Sequence, residues 1–195
     1  MERSIFLDKD GTLIHDVAYN VSLSKIAFYP DIFSSLKQLV TAGYSLILIS
    51  NQSGIAKGLF NEKELRIALD YIVGYLYQKG ISIKGYYYCP HDEQNVCNCR
   101  KPLPGLLQKA AYEHRIDLSH SWMIGDILTD VGAGRAAGCK TILLDRNRSE
   151  RLLPLGYQDP FRPDYILDDF FGVANAVLDA KNKETEIYTN RHTGQ

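Results

Sequence analysis

The sequence predicts a doubly wound α/β fold built on a mostly parallel sheet. Two observations carry that expectation. Short apolar runs alternate along the chain with amphipathic helical stretches, a pattern that produces a sheet covered on both faces. Polar clusters follow several of those runs directly, and in open α/β sheets ligands collect beyond the carboxyl ends of the strands. A length of 195 residues suits one domain with a proper core.

Ile5-Phe6-Leu7 is apolar without alternation, as a strand buried on both faces must be. It runs into Asp8-Lys9-Asp10-Gly11-Thr12. At strand spacing Asp8 and Asp10 lie on one side of the chain. Two close carboxylates call for a divalent cation or a shared proton; a plain Asp-Gly turn is the bland alternative. His15 to Tyr29 reads as an irregular connection in which Asp16 and Tyr19 face either a substrate or solvent. Asp31 is expected to cap a helix with Phe33, Leu36, Leu39 and Val40 inward, ended by Gly43.

Tyr44 to Ile49 supplies a second strand, ending at Ser50-Asn51-Gln52-Ser53-Gly54. Small hydroxyl and amide groups after a strand suit phosphate oxygens, or simply make a polar turn. Asn61 and Glu64 form a capping box for a helix striped by Leu65, Leu69, Ile72 and Leu76, with Gly80 closing it. Gly85 to Tyr88 is a third strand. It leads into Cys89-x-His91-x5-Cys97-x-Cys99, three thiols and an imidazole that close a tetrahedral zinc shell with no open position. Such a zinc is structural, stapling the loop 89–101. A chance cluster or a disulfide is the alternative. Arg100-Lys101-Pro102 follows, two cations placed to grip an anion.

Pro104 to Arg115 is a helix, and Trp122-Met123-Ile124 a fourth strand ending at Gly125-Asp126-x-x-x-Asp130, with a helix expected beyond these carboxylates. Gly132, Gly134, Ala136, Ala137 and Gly138 permit that helix to pack closely. Cys139 stands alone as a small buried residue, before a fifth strand, Thr141 to Leu144. Asp145 to Pro163 reads as a loop with a short helical piece, Tyr165 to Leu167 as an edge strand, and Asp168 to Ala180 as the last helix. The organisation expected is one domain over residues 1–180, with 181–195 a polar, mobile tail. No internal repeat or second-domain linker is visible, and no interval is long enough for a large cap domain.

A formal charge of -1 offers no bulk attraction for nucleic acid or an anionic membrane. No apolar run approaches the about 20 residues of a membrane span. With no signal-peptide pattern, the expectation is a cytoplasmic enzyme. Oligomeric state is not legible.

Taken together, the strand-end clusters resemble the aspartate-nucleophile phosphatases of the haloacid dehalogenase superfamily over about residues 4 to 180. Asp8-x-Asp10-Gly11-Thr12 looks like the first motif, Ser50 the second, Lys101 the third and Gly125-Asp126-x-x-x-Asp130 the fourth. The Cys/His loop, Arg100-Lys101-Pro102-x-Pro104-Gly105 and Ser50 to Gly58 are similar to the D-glycero-D-manno-heptose 1,7-bisphosphate phosphatases. Asp16-x-x-Tyr19 is similar to a substrate-contacting stretch of those enzymes, although Ala18 replaces a usual glycine. The five residues between His91 and Cys97 look more like the histidinol-phosphate phosphatases.

The resemblance implies an aspartyl-phosphate on Asp8, acid/base work by Asp10, and phosphoryl contacts from Ser50 and Lys101. It implies Mg²⁺ on Asp8, Asp10 and Asp126, with Asp130 ligating or standing behind. Asp16, Tyr19, Asn51, Gln52, Ser53 and Arg100 would face the rest of the substrate, which the resemblance makes a small phosphorylated metabolite. A zinc-loop binding module on an inactive phosphatase scaffold, a polynucleotide-end phosphatase and a phosphotransferase are the competing readings.

Overall fold

The computed structural model describes residues 1–150 and 159–193, with side chains as far as residue 183. Its centre is a sheet of six parallel strands in the order β3-β2-β1-β4-β5-β6. In chain order the elements are β1 (Arg3–Leu7), α1 (Ile32–Thr41), β2 (Tyr44–Asn51), α2 (Glu62–Gln78), β3 (Ile83–Cys89) and α3 (Gly105–His114). They continue with β4 (Trp122–Gly125), α4 (Leu128–Ala137), β5 (Lys140–Leu144), β6 (Tyr165–Leu167) and α5 (Phe170–Thr193). Short 3-10 turns lie at Leu23–Lys25 and Leu118–His120.

Strand alternation divides the core into two layers. Ile5 and Leu7 of β1, Leu46 and Leu48 of β2, and Trp122 and Ile124 of β4 pack against α1, α2 and α5. Phe6, Ile47, Ile49 and Met123 point the other way, onto α3 and α4. Both faces are therefore covered, which is why these strands read as unbroken apolar runs. On the second face the expected close packing is present at Gly134. A Cβ there would lie 2.6 Å from Met123 Cβ and 2.7 Å from Thr141 Cγ2, so α4 can approach β4 and β5 only without one.

The chain winds outward from β1 to β3 and then returns to lay β4 beside β1. This creates a topological switch point at the carboxyl ends of β1 and β4, where an open α/β sheet offers its ligand crevice. Asp8 follows β1 there and Asp126 follows β4.

Three local expectations are corrected. The Asp31 carboxylate makes no cap bond to α1. It takes a bidentate bond from Arg146, at 2.8 and 3.0 Å, and accepts 2.8 Å from Phe170 N at the start of α5. A guanidinium fork out-competes a single backbone N–H for the same oxygens.

Asp130 lies inside the first turn of α4 rather than ahead of it. The helix starts at Leu128 because Asp130 Oδ2 accepts 3.3 Å from Ile127 N. α5 also runs past Ala180 to Thr193, since no Gly or Pro interrupts residues 181–193. The helical piece expected between Asp145 and Pro163 falls largely on residues 151–158, outside the described residues. No described helix is long and apolar enough to cross a membrane.

Candidate active site

A cavity of about 310 Å³ opens at the switch point. Asp8, Asp10, Ser50, Lys101 and Asp126 line it together, so four separate strand-end clusters meet in one place. Asp16, Tyr19, Asn51, Gln52 and Ser53 line it as well.

Each group is fixed locally. Asp8 N donates 2.9 Å to Ile124 O, continuing the β1–β4 ladder one step beyond the strand. Leu13 N and Ile14 N then close on Lys9 O at 3.0 and 3.2 Å, turning the chain sharply. At the turn Gly11 has φ +72°, and a Cβ would run into the Asp126 carboxylate. Only glycine meets both conditions.

The same turn alters the fate of Lys9. A continuing strand would send it to the opposite side from the carboxylates. Instead its buried ammonium donates 2.6 Å to Asp10 Oδ1. The other oxygen, Asp10 Oδ2, accepts 3.3 Å from Gln52 Nε2, which also donates 2.8 Å to Ser50 Oγ. Asp10 is thus held from both oxygens.

Lys101 reaches the centre because Asn51 clamps its backbone. Lys101 N donates 3.0 Å to Asn51 Oδ1, and Asn51 Nδ2 donates 3.1 Å to Lys101 O. The ammonium, 2 % exposed, bonds Asp8 and lies 2.5 Å from Asp130 Oδ1. Burial would pull this amine down, but Asp130 and Asp8 beside it hold it above the usual lysine range.

Three carboxylates, Asp8, Asp126 and Asp130, bring an oxygen each within 4.8 Å of one another. Burial pushes Asp8 up to about 7; Lys101 opposes the rise, and Asp130 and Asp10 add to it. Burial, then Asp8 and Asp130, push Asp126 up to about 8. Excess negative charge of this kind is relieved by a proton or a cation.

The second cluster is the Cys/His loop. Cys89 Sγ lies 3.5 Å from His91 Nδ1, 3.8 Å from Cys97 Sγ and 3.0 Å from Cys99 Sγ. Cys99 Sγ is 3.4 Å from His91 Nδ1. A zinc with Zn–S near about 2.3 Å has tetrahedral edges of roughly 3.8 Å, while a disulfide needs about 2.05 Å. Cys89, Cys97 and Cys99 form no disulfide, and with His91 their ligand atoms all lie within 4.8 Å of one another, which fits a metal shell. Burial of the lone Cys139, as expected, pushes its thiol up to about 12.

A HAD-hydrolase-like family model matches residues 98–172. The D-glycero-beta-D-manno-heptose-1,7-bisphosphate 7-phosphatase of Pasteurella multocida is 39% identical over 188 residues, 93% of this chain and 100% of that protein. Its namesake in Escherichia coli K12 is 32% identical over 181 residues, covering 89% and 93%. The chain belongs to the HAD-like phosphatases.

Among solved structures, the D,D-heptose 1,7-bisphosphate phosphatase of B. bronchiseptica, complexed with magnesium and phosphate, superposes with a TM-score of 0.81. It is 29% identical, with 91% of this chain and 99% of that one covered. In this HAD-like phosphatase two expected site residues stand outside the cavity lining. Asp130 is wholly buried behind Lys101. Arg100 turns into the zinc loop, donating 3.3 Å to His91 O and 3.2 Å to Glu93 Oε1. Lys9, whose signal in the sequence is its position between the two aspartates, is a site residue without an expected role. So is Lys57, which donates 2.6 Å to Tyr19 Oη at the cavity rim.

Proposed function

We propose that this phosphatase hydrolyses the 7-phosphate of D-glycero-beta-D-manno-heptose 1,7-bisphosphate through an aspartyl-phosphate on Asp8. The supporting observation is the meeting of Asp8, Asp10, Lys101 and Asp126 in one cavity, on a chain whose curated relatives bear that activity in their names. The carboxylate cluster also fits a hard cation. Its donors are all oxygens, and burial holds Asp8 and Asp126 short of full ionisation near neutrality. Asp8, Asp126 and the Asp10 carbonyl would hold Mg²⁺, which neutralises charge between an incoming phosphate and Asp8. Both Asp130 oxygens are engaged, by Lys101 and by Ile127 N–H, so Asp130 would stand behind the ligands.

In this reading an Asp8 oxygen bonds to phosphorus as the bond to the sugar oxygen breaks. Asp10 gives that leaving oxygen its proton. Asp10 then takes a proton from water, whose oxygen bonds to phosphorus while the Asp8–phosphorus bond breaks. Lys101 and Ser50 hold the transferring oxygens. Asp16, Tyr19, Gln52 and Ser53 face the sugar, Asn51 holds Lys101, and Arg100 supports the zinc loop. Zinc on Cys89, His91, Cys97 and Cys99 would keep that loop in shape, and cysteines used as metal ligands rather than in disulfides suit a cytoplasmic setting.

The test is phosphate release from heptose 1,7-bisphosphate against histidinol phosphate, the reading favoured by the short His91–Cys97 spacing. Release of the 7-phosphate, abolished in Asp8→Asn, is expected. Faster turnover of histidinol phosphate would replace the heptose assignment. Normal turnover by Asp8→Asn would remove Asp8 from the nucleophile role.

A further inference from the structure

A bisphosphate brings two dianions into one cavity, and the cations near the reacting end already have partners. Lys101 lies between Asp8 and Asp130, Lys9 bonds Asp10, and Arg100 is paired with Glu93. Lys57 differs. Among the described residues no carboxylate lies within ion-pair distance of it, and its hydrogen-bond partner is a neutral phenol, Tyr19 Oη. The ammonium also lies 4.9 Å from the centre of the Tyr19 ring.

Both residues are held in place by their backbones. Lys57 N donates 3.0 Å to Ser53 O, and Leu59 N donates 2.8 Å to Gly54 O, so Lys57 rises from a closed turn. Residues Gln52 to Gly54 of that turn line the cavity. Tyr19 lines it too, with φ +54°, in the left-handed region that an aromatic residue adopts at a cost. Strain at such a site, pinning a phenol beside an ammonium with no carboxylate partner, suits ligand capture better than stability. Asp92 and Glu93 also face Lys57 electrostatically from the zinc loop, but Arg100 occupies Glu93.

We infer that Lys57 and the Tyr19 hydroxyl together hold the phosphate that is not cleaved. This rests on the bisphosphate reading above. The ammonium would donate to a phosphate oxygen, and the phenol, released from Lys57, would donate a second bond.

The experiment compares kcat/KM for heptose 1,7-bisphosphate with that for heptose 7-phosphate, in wild type, Lys57→Met, Lys57→Arg and Tyr19→Phe. Wild type should prefer the bisphosphate. The preference should fall ~10- to 100-fold in Lys57→Met, chiefly through KM, as for loss of one charge-assisted bond. It should return in Lys57→Arg and fall less in Tyr19→Phe. An unchanged ratio in Lys57→Met overturns the inference while leaving the substrate assignment standing. So does a wild type that cleaves both esters equally well. No cleavage of the bisphosphate by wild type refutes the substrate assignment and the inference with it.

Discussion

Replacing Lys101 with Met removes one positive charge from among three carboxylates. Its ammonium bonds Asp8 and Asp130, and Asp126 completes the cluster. The side chain is 2 % exposed, so water cannot substitute for it. Breaking one partner of a buried pair leaves an uncompensated charge, at a cost of ~3–5 kcal/mol.

The cost should depend on pH. Asp8 and Asp126 are raised to about 7 and about 8 in the fold, above any unfolded aspartate. The folded chain therefore takes up protons more readily, and the strain of ionising these groups is absent at low pH and complete above about 8. Without Lys101 the carboxyls rise further. The variant should thus lose most at pH 8 and markedly less at pH 6. Urea unfolding in magnesium-free buffer, followed by the fluorescence of the single, buried Trp122, measures this. Added Mg²⁺ should recover part of the loss. A loss below about 1 kcal/mol, or one equal at pH 6 and pH 8, would refute the electrostatic account of the cluster.

Other outcomes follow from the same contacts. Lys9→Met frees Asp10 Oδ1 and should slow turnover ~10-fold or more, most for esters with poorly acidic leaving alcohols, with Lys9→Arg restoring part; a uniform fall across leaving groups would dismiss the positioning role. Mg²⁺ binding should release protons below pH 7, because Asp8 and Asp126 must ionise to ligate. Its apparent affinity, read by calorimetry, should drop between ~10- and 100-fold for each unit of acidification. Stripping zinc should raise hydrogen exchange across residues 89–101 and lower activity through displacement of Lys101; unaltered exchange in a chain shown to be zinc-free would count against a stapled loop.

Strand and helix identities were legible because period and burial agree. Ile5, Phe6 and Leu7 are apolar in succession since α5 and α3 lie on opposite sides of them. The Asn61–Glu64 box was legible because both of its bonds are local. What failed to show depended on partners that only the folded chain brings into reach. Asp31 looked like a cap, yet its oxygens go to Arg146, 115 positions away. Arg100, expected to grip an anion, also meets Glu93, which only the folded loop sets against it. Lys9 carried no expected role because strand alternation turns it away from Asp8 and Asp10. The turn closed by Leu13 and Ile14 on Lys9 O redirects it to Asp10.

The zinc loop and the carboxylate cluster are better understood as one device than as two sites. Cys89 ends β3, whose ladder pairs it with Asn51 at the end of β2. Cys99 precedes Lys101 by two residues, and Asn51 grips Lys101 through both its N–H and its carbonyl. A metal on these four ligands would therefore fix one end of a three-residue segment, while the Asn51 amide fixes the other. Between them they would hold the Lys101 backbone where its ammonium meets Asp8 and Asp130. A four-ligand metal clamp on a loop too short for its own core is a physically sufficient way to pin a lysine.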